Sequence, residues 1–525
     1  MHVLAIDMGS GSVKAAIISS RAEVKASSLR QIGMQFVGQS GAEQDPAEMW
    51  SAVKSAAQSA ISEAHVPAEE VAAVVCTTQW AVTIPVDRSG DALGNAISWM
   101  DMRGGPYSSR LVNGWPRIAG YSVARLMKWI RLTGGAPMLS GNDSLGHILF
   151  LKNEQPDIYH AAHKFLEPMD YLNLKLTGNF AASFGTIYPY WLSDNRNPNS
   201  IDYAPELLTM TGIARDKLPD LMPVNAVLGT LKPDVARELG LRPETRVMMG
   251  SLDNQAAAIG AGCVRDCDGY FYIGTTSWMS CHVPAKKTDM IHMISTMPAA
   301  LAGRYAVTAE QGAAGRCIEF LKDLLFPPGD ATAVAPADVY AYIENLAADA
   351  NPGSDGLIFT PWITGVLAPT SDSATRSAFF NQTARTTRSH YARAVMEGIG
   401  FNLRWLKGHV EKFIGRRFEH LAFIGGGARS EVWCQILADI LDCPIRQIAD
   451  PRNANAVGAA MAALAALGEI RLDEIESLVK VSRVFSTNPK NRAVYDRNFR
   501  EFIAFYNRAR PIYRRLNAVV SSTSR

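Results

Sequence analysis

Two short segments, far apart in the chain, each place an acidic residue after an apolar run and set small residues beside it. In the first, Asp7 follows Val3 to Ile6 and precedes the turn Gly9-Ser10-Gly11-Ser12. In the second, Asp253 follows the run Val247 to Met249 and then Gly250, Ser251 and Leu252. Small side chains let the backbone approach a ligand closely, and a carboxylate fixed at a strand end can bind a cation or accept a proton. The chain must therefore form separate strand-to-turn junctions that carry acidic groups in both halves.

A third junction of this kind, Gly425-Gly426-Gly427-Ala428, follows the apolar run Leu421 to Ile424. A chain of 525 residues is also too long for one hydrophobic core. The sequence therefore predicts two α/β domains, over about residues 1–246 and 247–525, with a phosphate-binding cleft between them. Such a cleft is typical of an enzyme that uses a nucleotide.

Composition limits the partners of the protein. The chain has 52 basic and 50 acidic side chains, and its formal net charge is +2. This balance gives no electrostatic reason to expect a nucleic acid or a membrane surface as a partner. The seven cysteines are scattered, which favours a reducing compartment, and no segment predicts a secretion signal or a membrane span. We expect a cytoplasmic protein whose oligomeric state the sequence leaves open, a homodimer included.

Apolar periodicity predicts the main elements of both halves. Helices and loops over about residues 104–225 are expected to complete the first domain. The predicted strands are Val3 to Ile6, Val13 to Ile18, Val71 to Val75, Trp80 to Val86, Tyr270 to Ile273 and Leu421 to Ile424. The predicted helices are Pro46 to Ala64, a run of small residues after Asp253, Ala456 to Leu467 and Phe499 to Leu516.

The turn after Asp7 has two interpretations. Asp7 could hold magnesium or its water shell while the N–H groups of Gly9 and Ser10 bind phosphate oxygens and Lys14 adds positive charge. Alternatively, the segment is an ordinary hairpin whose turn Asp7 caps.

Asp253 also has two interpretations. A catalytic base needs a carboxylate fixed at a strand end, with no bulky neighbour that would block a substrate hydroxyl. Asp253 and the following Asn254 fit that description. The alternative is a helix N-cap, which aspartate often provides.

Two further turns offer contacts for a nucleotide. Gly274 and Thr275 follow a predicted strand and provide backbone donors and a hydroxyl for a terminal phosphate. Gly426 and Gly427 lack side chains where an adenine and its ribose would need room. An ordinary β-turn and a tight strand-to-helix turn are the respective alternatives.

A candidate sugar site lies in the first half. Gln79 and Trp80 in one segment and Asp101 and Arg103 in another combine an aromatic ring with groups that hydrogen-bond hydroxyls. The alternatives are a core tryptophan and a surface ion pair between Asp101 and Arg103. The sequence contains no Walker motif of the type Gly-x4-Gly-Lys-Ser/Thr, so it is not a P-loop kinase.

Taken in order, these segments resemble the FGGY carbohydrate kinases, two-domain enzymes with ribonuclease-H-like domains of the actin, hexokinase and Hsp70 superfamily. The resemblance extends from Asp7 to the helix Ala456-Val457-Gly458-Ala459-Ala460 and is strongest to the xylulokinase branch. It implies that Asp253 is the catalytic aspartate, that Asp7 organises Mg²⁺, and that ATP is the phosphoryl donor. The residues implied for ATP are Gly9, Ser10, Ser12, Lys14, Gly274, Thr275, Gly426, Gly427, Ala428 and Ser430. Those implied for the sugar are Gln79, Trp80, Ala81, Asp101, Arg103, Asp253 and Asn254.

The chain departs from that family at several places, among them the following two. Xylulokinases commonly have Gln-Met-His-Gly in the sugar loop, and this chain has Gln79-Trp80-Ala81-Val82, without the imidazole. The family's Gly-Glu-Arg-x-Pro segment appears as Gly365-Val366-Leu367-Ala368-Pro369, without its charges. We therefore expect ATP-dependent phosphorylation of a sugar hydroxyl, on a ketopentose or related polyol, with the particular sugar left open. Two alternatives remain: a binding sensor that no longer transfers phosphate, and a chaperone-like ATPase of the same superfamily.

Overall fold

The computed structural model describes residues 1–330 and 333–517. In the first half of the chain, strands alternate with helices. The strands are β1 (His2–Met8), β2 (Ser12–Ser19), β3 (Val24–Gln31), β4 (Gln35–Val37), β5 (Gly41–Gln44), β6 (Val71–Thr78), β7 (Ile84–Val86), β8 (Ala96–Ile97), β9 (Arg117–Ile118), β10 (Tyr121–Ser122), β11 (Lys164–Leu166), β12 (Ala181–Ser183), β13 (Ser193–Asp194), β14 (Asp202–Tyr203), β15 (Asp220–Met222), β16 (Val227–Thr230) and β17 (Arg246–Leu252). The helices are α1 (Pro46–Ala64), α2 (Gly105–Leu111), α3 (Val123–Thr133), α4 (Ser144–Glu154), α5 (Pro156–Ala161), α6 (Pro168–Thr177), α7 (Pro205–Thr211) and α8 (Pro233–Leu239).

The second half has the same mixed composition. Its strands are β18 (Gly269–Ile273), β19 (Ser277–Ser280), β20 (His282–Val283), β21 (Thr288–Asp289), β22 (Ile294–Pro298), β23 (Tyr305–Gln311), β24 (Ile358–Thr360), β25 (Ala378–Phe380), β26 (Leu421–Ile424), β27 (Ile445–Ile448) and β28 (Val481–Phe485). Its helices are α9 (Asp253–Gly260), α10 (Gly315–Leu325), α11 (Val339–Asp349), α12 (Arg388–Ile414), α13 (Glu431–Leu441), α14 (Ala454–Ala466), α15 (Ile475–Leu478) and α16 (Arg492–Leu516).

Each half is built on one main sheet, and the two sheets share one topology. In the first, β3, β2 and β1 form an antiparallel meander, and β6 and then β17 continue the sheet in parallel with β1. In the second, β23, β19 and β18 form the meander, and β26 and then β27 continue it in parallel with β18. This order is that of a ribonuclease-H-like domain, so the prediction of two such α/β domains is confirmed.

Helices α9 and α14 lie together between the two sheets. Their small apolar residues share one core with Val3 and Ala5 of β1 on one side and with Tyr270 of β18 on the other. The helices approach so closely that a Cβ atom at Gly458 would overlap the carbonyl oxygen of Ala256. Alanine and glycine in both helices are therefore what allows the two sheets to share this layer.

Most predicted elements agree with the structure. Helix α1 and strand β26 have the predicted bounds, and the predicted helix Phe499 to Leu516 is the second part of α16. Among residues 1–330 and 333–517, no helix is both long enough and apolar enough to cross a membrane.

The predicted strand Trp80 to Val86 is wrong in its first half. Only Ile84–Val86 is extended, because Ala81 adopts a left-handed backbone with φ of 56° and turns the chain. Strand β17 pairs with β6, so the first sheet continues beyond residue 246, where we expected the domain boundary.

We predict that Gly458→Ala lowers the free energy of unfolding by about 1–3 kcal/mol or more, because its Cβ atom would overlap backbone that cannot easily move. Gly408→Ala is the matched control, since Gly408 lies inside α12 with no atom within 4 Å of an added Cβ. That change should stabilise the protein by about 0.5–1 kcal/mol. Urea unfolding of both variants measures the difference, and equal stabilities would contradict the proposed tight helix crossing.

Candidate active site

Asp7 lies near the end of β1, opposite Lys14 on β2. The turn between the strands closes with a hydrogen bond from the Gly9 N–H to the Ser12 carbonyl oxygen, 2.9 Å apart. The segment is thus a hairpin, but the partners found for the Asp7 side chain among the described residues are Lys14 and Asn455 and not the turn, so the capping role stays a prediction. The Asp7 side chain remains 13% exposed, and its Oδ2 atom lies 4.0 Å from the Lys14 ammonium.

The second domain reaches this turn from the other side. The side chain of Asn455, near the start of α14, hydrogen-bonds to Asp7, and the Lys14 ammonium donates to the backbone carbonyl of Arg452. Burial raises the pKa of Asp7, and Lys14 and Asn455 partly offset that rise. Sequence reasoning missed Asn455. The available signal was a fourth strand-to-turn-to-helix junction, between β27 and α14.

Asp253 is the first residue of α9 and directly follows β17. It is not the N-cap, a position that Leu252 occupies, although its Oδ1 atom accepts a hydrogen bond from the Asn254 N–H at 2.7 Å. Burial raises the pKa of Asp253 to about 7, and the nearby carboxylates of Asp7 and Glu310 add to that rise. A carboxylate with this pKa can accept a proton near neutral pH.

Glu310 is a second group that the sequence did not reveal. Its neighbour Ala309 packs into the core of the second domain, and its other neighbour, Gln311, hydrogen-bonds inside the protein. Since side chains alternate along a strand, Glu310 points to the other face of the sheet, together with its cross-strand partner Trp278. Burial raises the pKa of Glu310 to about 7.

The turn at Gly274 and Thr275 lies against the start of α10. The Gly274 N–H donates to the Thr276 carbonyl oxygen at 3.0 Å, so the segment is a tight turn, and the Gly315 N–H of α10 donates to the Gly274 carbonyl oxygen at 2.8 Å. Thr275 at its tip is exposed. The turn therefore exposes the Thr275 hydroxyl, which suits a phosphate oxygen, while the first amides of α10 donate to the carbonyl oxygens of Gly274 and Thr275.

The ring of Tyr272 brings this turn close to the second glycine turn. A Cβ atom at Gly274 would overlap the Tyr272 hydroxyl, and one at Gly425 would lie 2.8 Å from the same ring. A Cβ atom at Gly426 would meet nothing within 4 Å. Both turns predicted to bind the nucleotide thus flank one aromatic ring, with open space at Gly426.

Ala428 and Ser430 have structural partners in the same loop. Ala428 is fully buried, and its carbonyl oxygen accepts from the Gln447 side chain at 2.7 Å. The Ser430 hydroxyl caps α13 by accepting from the Trp433 N–H at 3.0 Å and donates to Glu344 at 2.7 Å. These two residues therefore shape the loop, and their direct contact with ATP stays a prediction.

Ser10 connects the first phosphate turn with the sugar loop, defined here as residues 79–82. Its hydroxyl donates to Oε1 of Gln79 at 2.6 Å and accepts from the Trp99 indole N–H at 2.9 Å. The Gln79 amide in turn donates to Gln44 at 2.9 Å. The predicted phosphate and sugar residues thus form one hydrogen-bonded network, in which Gln79 is held in a fixed orientation.

Trp80 of the sugar loop and Asn254 of α9 are two further residues that we predict for the sugar site. The Trp80 ring stacks on Tyr188 with a centroid distance of 6.4 Å and an angle of 21° between the planes. The Asn254 side chain donates to Met297 Sδ at 3.9 Å, and its Oδ1 atom is buried without a hydrogen-bond partner among the described residues. An unpartnered acceptor next to Asp253 suits a substrate hydroxyl.

Asp101 and Arg103 are bound to each other and to the protein. Asp101 has no exposed surface, and its carboxylate accepts from the Ala42 N–H at 2.9 Å and from Arg103 at 2.9 Å. Arg103 also pairs with Glu43 at 2.5 Å and packs over the Phe150 ring. The pair is largely buried, which corrects the surface-pair alternative, and contact of Asp101 and Arg103 with a sugar stays a prediction.

The donors around Asp7 fit magnesium and a nucleotide. Mg²⁺ is usually bound by one or two carboxylates together with substrate phosphates, and Asp7 supplies a partly exposed carboxylate whose pKa is raised by burial. The open turns at Thr275 and Gly426 supply backbone donors and room for phosphates and a nucleoside. Asp7, Thr275 and Gly426 are thus the residues that would hold the magnesium nucleotide.

Two ribonuclease-H-like domains with paired carboxylates and glycine turns between them define an actin- and hexokinase-like phosphotransferase. The profile of the FGGY family of carbohydrate kinases, N-terminal domain, matches residues 2–260, and that of the C-terminal domain matches residues 269–467. The chain belongs to the FGGY family of carbohydrate kinases, and it is a sugar kinase. This membership excludes the chaperone-like alternative.

Individual relatives differ in their substrates. A xylulose kinase from Staphylococcus epidermidis is 26% identical over 97% of this chain and 97% of its own length. An autoinducer-2 kinase from Enterobacter sp. strain 638 is 28% identical over 96% of this chain and 94% of its own length. The crystal structure of gluconate kinase from Lactobacillus acidophilus has a TM-score of 0.84 at 22% identity, covers 98% of this chain and 99% of its own chain, and supports the fold.

We predict that Asp253→Asn stabilises the nucleotide-free protein at high pH. The pKa of Asp253 is raised from 3.8 to about 7, so between these values the folded state binds more protons than the unfolded state and stability falls as pH rises. Asparagine does not titrate, so the stability of the variant relative to wild type should increase by about 1–3 kcal/mol between about pH 5 and pH 8. Urea unfolding across that range measures the effect, and a difference independent of pH would contradict it.

Proposed function

We propose that the enzyme transfers the γ-phosphoryl group of ATP to a hydroxyl of a small neutral polyhydroxy compound, a ketopentose or a related polyol. The observation that carries this proposal is the position of Asp253. Asp253 is the first residue of α9, where burial raises its pKa and the nearby carboxylate of Asp7 adds to that rise. It is followed by Asn254, whose Oδ1 atom has no hydrogen-bond partner among the described residues. A proton acceptor thus stands beside the residue that would hold the metal and beside a free acceptor for a hydroxyl.

In the proposed reaction Asp253 acts as the general base. Its carboxylate takes the proton of the substrate hydroxyl as that oxygen forms a bond to the γ-phosphorus, and the bond between the γ-phosphorus and the bridging oxygen breaks to release ADP. Its pKa of about 7 suits this role, because the deprotonated form is populated near neutral pH and still binds a proton well.

The remaining residues position the reactants. When bound at Asp7, Mg²⁺ supplies charge neutralisation for the phosphates. The Thr275 turn and the open backbone at Gly426 would orient the nucleotide, and the Gln79 network would orient the sugar relative to Ser10. Most of the rate acceleration would then come from orientation and from stabilisation of charge on the transferred group.

The charges at the candidate sugar site favour a neutral substrate over an aldonate. Arg103, the one cation among the predicted sugar-site residues, is bound to Asp101 and Glu43. Apart from this Asp101–Arg103 pair, the predicted sugar-site residues are uncharged except for Asp253, whose carboxylate would repel a second carboxylate. The stacked rings of Trp80 and Tyr188 offer an apolar platform for the C–H face of a sugar.

We predict magnesium-dependent ADP release from ATP that requires a polyhydroxy substrate. The panel is D-xylulose, D-ribulose, xylitol, glycerol and D-gluconate, and D-gluconate should be the weakest. D-xylulose should be weaker than for xylulokinases by about tenfold to a hundredfold in specificity, since Ala81 cannot replace the hydrogen bond of an imidazole. ADP release with no member of the panel would favour the sensor alternative, and a preference for D-xylulose over every other compound would contradict the proposed role of the loop.

We also predict that Asp253→Asn still folds and binds ATP but loses about 10²–10⁴-fold in kcat, the usual effect of removing a positioned general base. Asparagine keeps an oxygen that accepts the Asn254 N–H, so a purely structural role would leave kcat nearly unchanged. Steady-state kinetics and nucleotide binding by calorimetry separate the two. Near-normal kcat would remove Asp253 from the mechanism.

A further inference from the structure

A buried glutamate, Glu167, accepts hydrogen bonds from the backbone of the sugar loop. Glu167 has no exposed surface, and its Oε2 atom accepts a hydrogen bond from the Val82 N–H at 3.1 Å. The Ala81 N–H also donates to this carboxylate, and its other oxygen accepts from the Ser144 hydroxyl. One side chain thus contacts two consecutive amides of the loop and the first turn of α4.

The position of Glu167 makes these contacts specific. It occupies the N-cap position of α6, where a polar side chain normally accepts from the first turn of its own helix, yet it makes no such bond. Its carboxylate turns instead to the sugar loop and to α4. The Glu167 carboxylate therefore stabilises the sugar loop instead of the first turn of α6.

The loop needs this support because of its backbone. Ala81 has φ of 56°, a left-handed conformation that residues with a Cβ atom rarely adopt. A carboxylate that binds the amides of Ala81 and Val82 favours this turn over an extended strand. This turn places Trp80 outside strand β7, and the Trp80 ring stacks on Tyr188.

The start of α4 also supports the aromatic platform, which consists of the stacked rings of Trp80 and Tyr188. Asp143, the N-cap of α4, accepts from the Trp191 indole N–H at 2.7 Å, and the Trp191 ring contacts Tyr188 edge-on at 4.8 Å. The Tyr188 ring in turn stacks on the Trp80 ring. Asp143 therefore supports the Tyr188 ring through Trp191. Its neighbour Ser144 supports the loop that carries Trp80 through Glu167.

We propose that Glu167 is a positioning residue that holds the sugar loop in its turn, so that Trp80 forms one wall of the sugar site and sugar affinity depends on it. This inference rests on the proposed function, because it takes Trp80 to contact the substrate. Among the described residues, the hydrogen bonds found for the Glu167 carboxylate go to the sugar loop and to Ser144, so its removal should change sugar binding more than phosphoryl transfer.

The test compares Glu167→Leu, which removes both acceptors, with Glu167→Gln. The glutamine carbonyl oxygen can still accept from Val82, and its amide can donate to the Ser144 hydroxyl. With the best substrate of the panel above, Glu167→Leu should raise the sugar KM about tenfold or more, with kcat and the ATP KM changed by less than about threefold. Glu167→Gln should stay within about threefold of wild type.

A double-mutant cycle with Trp80→Ala separates positioning from general destabilisation. If Glu167 acts through Trp80, Glu167→Leu should raise the sugar KM by less than about threefold in the Trp80→Ala background. Independent, multiplying effects would overturn the proposal, and so would an unchanged sugar KM in Glu167→Leu. If Glu167→Leu does not fold, Ser144→Ala is the milder probe, with a rise in sugar KM expected and an unchanged value contrary to the proposal.

Glu397→Gln is the matched control for lost stability. Glu397 is a buried glutamate of α12 that likewise accepts from a backbone N–H, of Gly353 at 2.9 Å, and from a serine hydroxyl, of Ser354 at 2.9 Å. This variant should lower the melting temperature without changing the sugar KM. If Trp80→Ala leaves the sugar KM unchanged, the proposed sugar site itself fails; if only Glu167→Leu does so, the site stands and the positioning role fails.

Discussion

The close packing of α9 on α14 is the constraint on which the cleft depends. Backbone-to-backbone approach at Gly260 and Gly458 leaves no room for a Cβ atom, so both sheets can pack on this single pair of helices. Each helix also begins at the cleft: α9 with Asp253, and α14 with Asn455 one residue after its start. The spacing of the sheets and the placement of the reactive groups are therefore consequences of one contact.

This arrangement determines how readily the carboxylates of the cleft bind protons. Asp253 is partly removed from water by the helix layer and lies near Asp7, and both effects disfavour its charged form. Lys14, whose ammonium lies 4.0 Å from the Asp7 carboxylate and also donates to the Arg452 carbonyl of the other domain, only partly offsets the rise in the pKa of Asp7 that burial causes. The same contacts thus join the domains and leave the site with a negative charge that a metal ion can balance.

Sequence reasoning was most successful where the signal is local. The bounds of α1 and β26, the hairpin after Asp7 and the junction at Asp253 follow from apolar runs beside small residues, whatever else the chain does. It was least successful at Trp80, since alternation of apolar residues resembles a strand, whereas Glu167, distant in sequence, holds Ala81 in a turn. It also could not separate a sugar ligand from a buried ion pair at Asp101, because both need the same polar groups.

The sequence by itself determined two α/β halves, their strand-to-glycine junctions and the resemblance to carbohydrate kinases, all of which are carried by short contiguous segments. Only the tertiary structure decided which junctions meet, that Arg103 is occupied by Asp101 and Glu43, and that Glu310 and Asn455 belong to the cleft. Proximity between distant segments and exclusion of water set these properties, and the order of residues along the chain specifies neither directly.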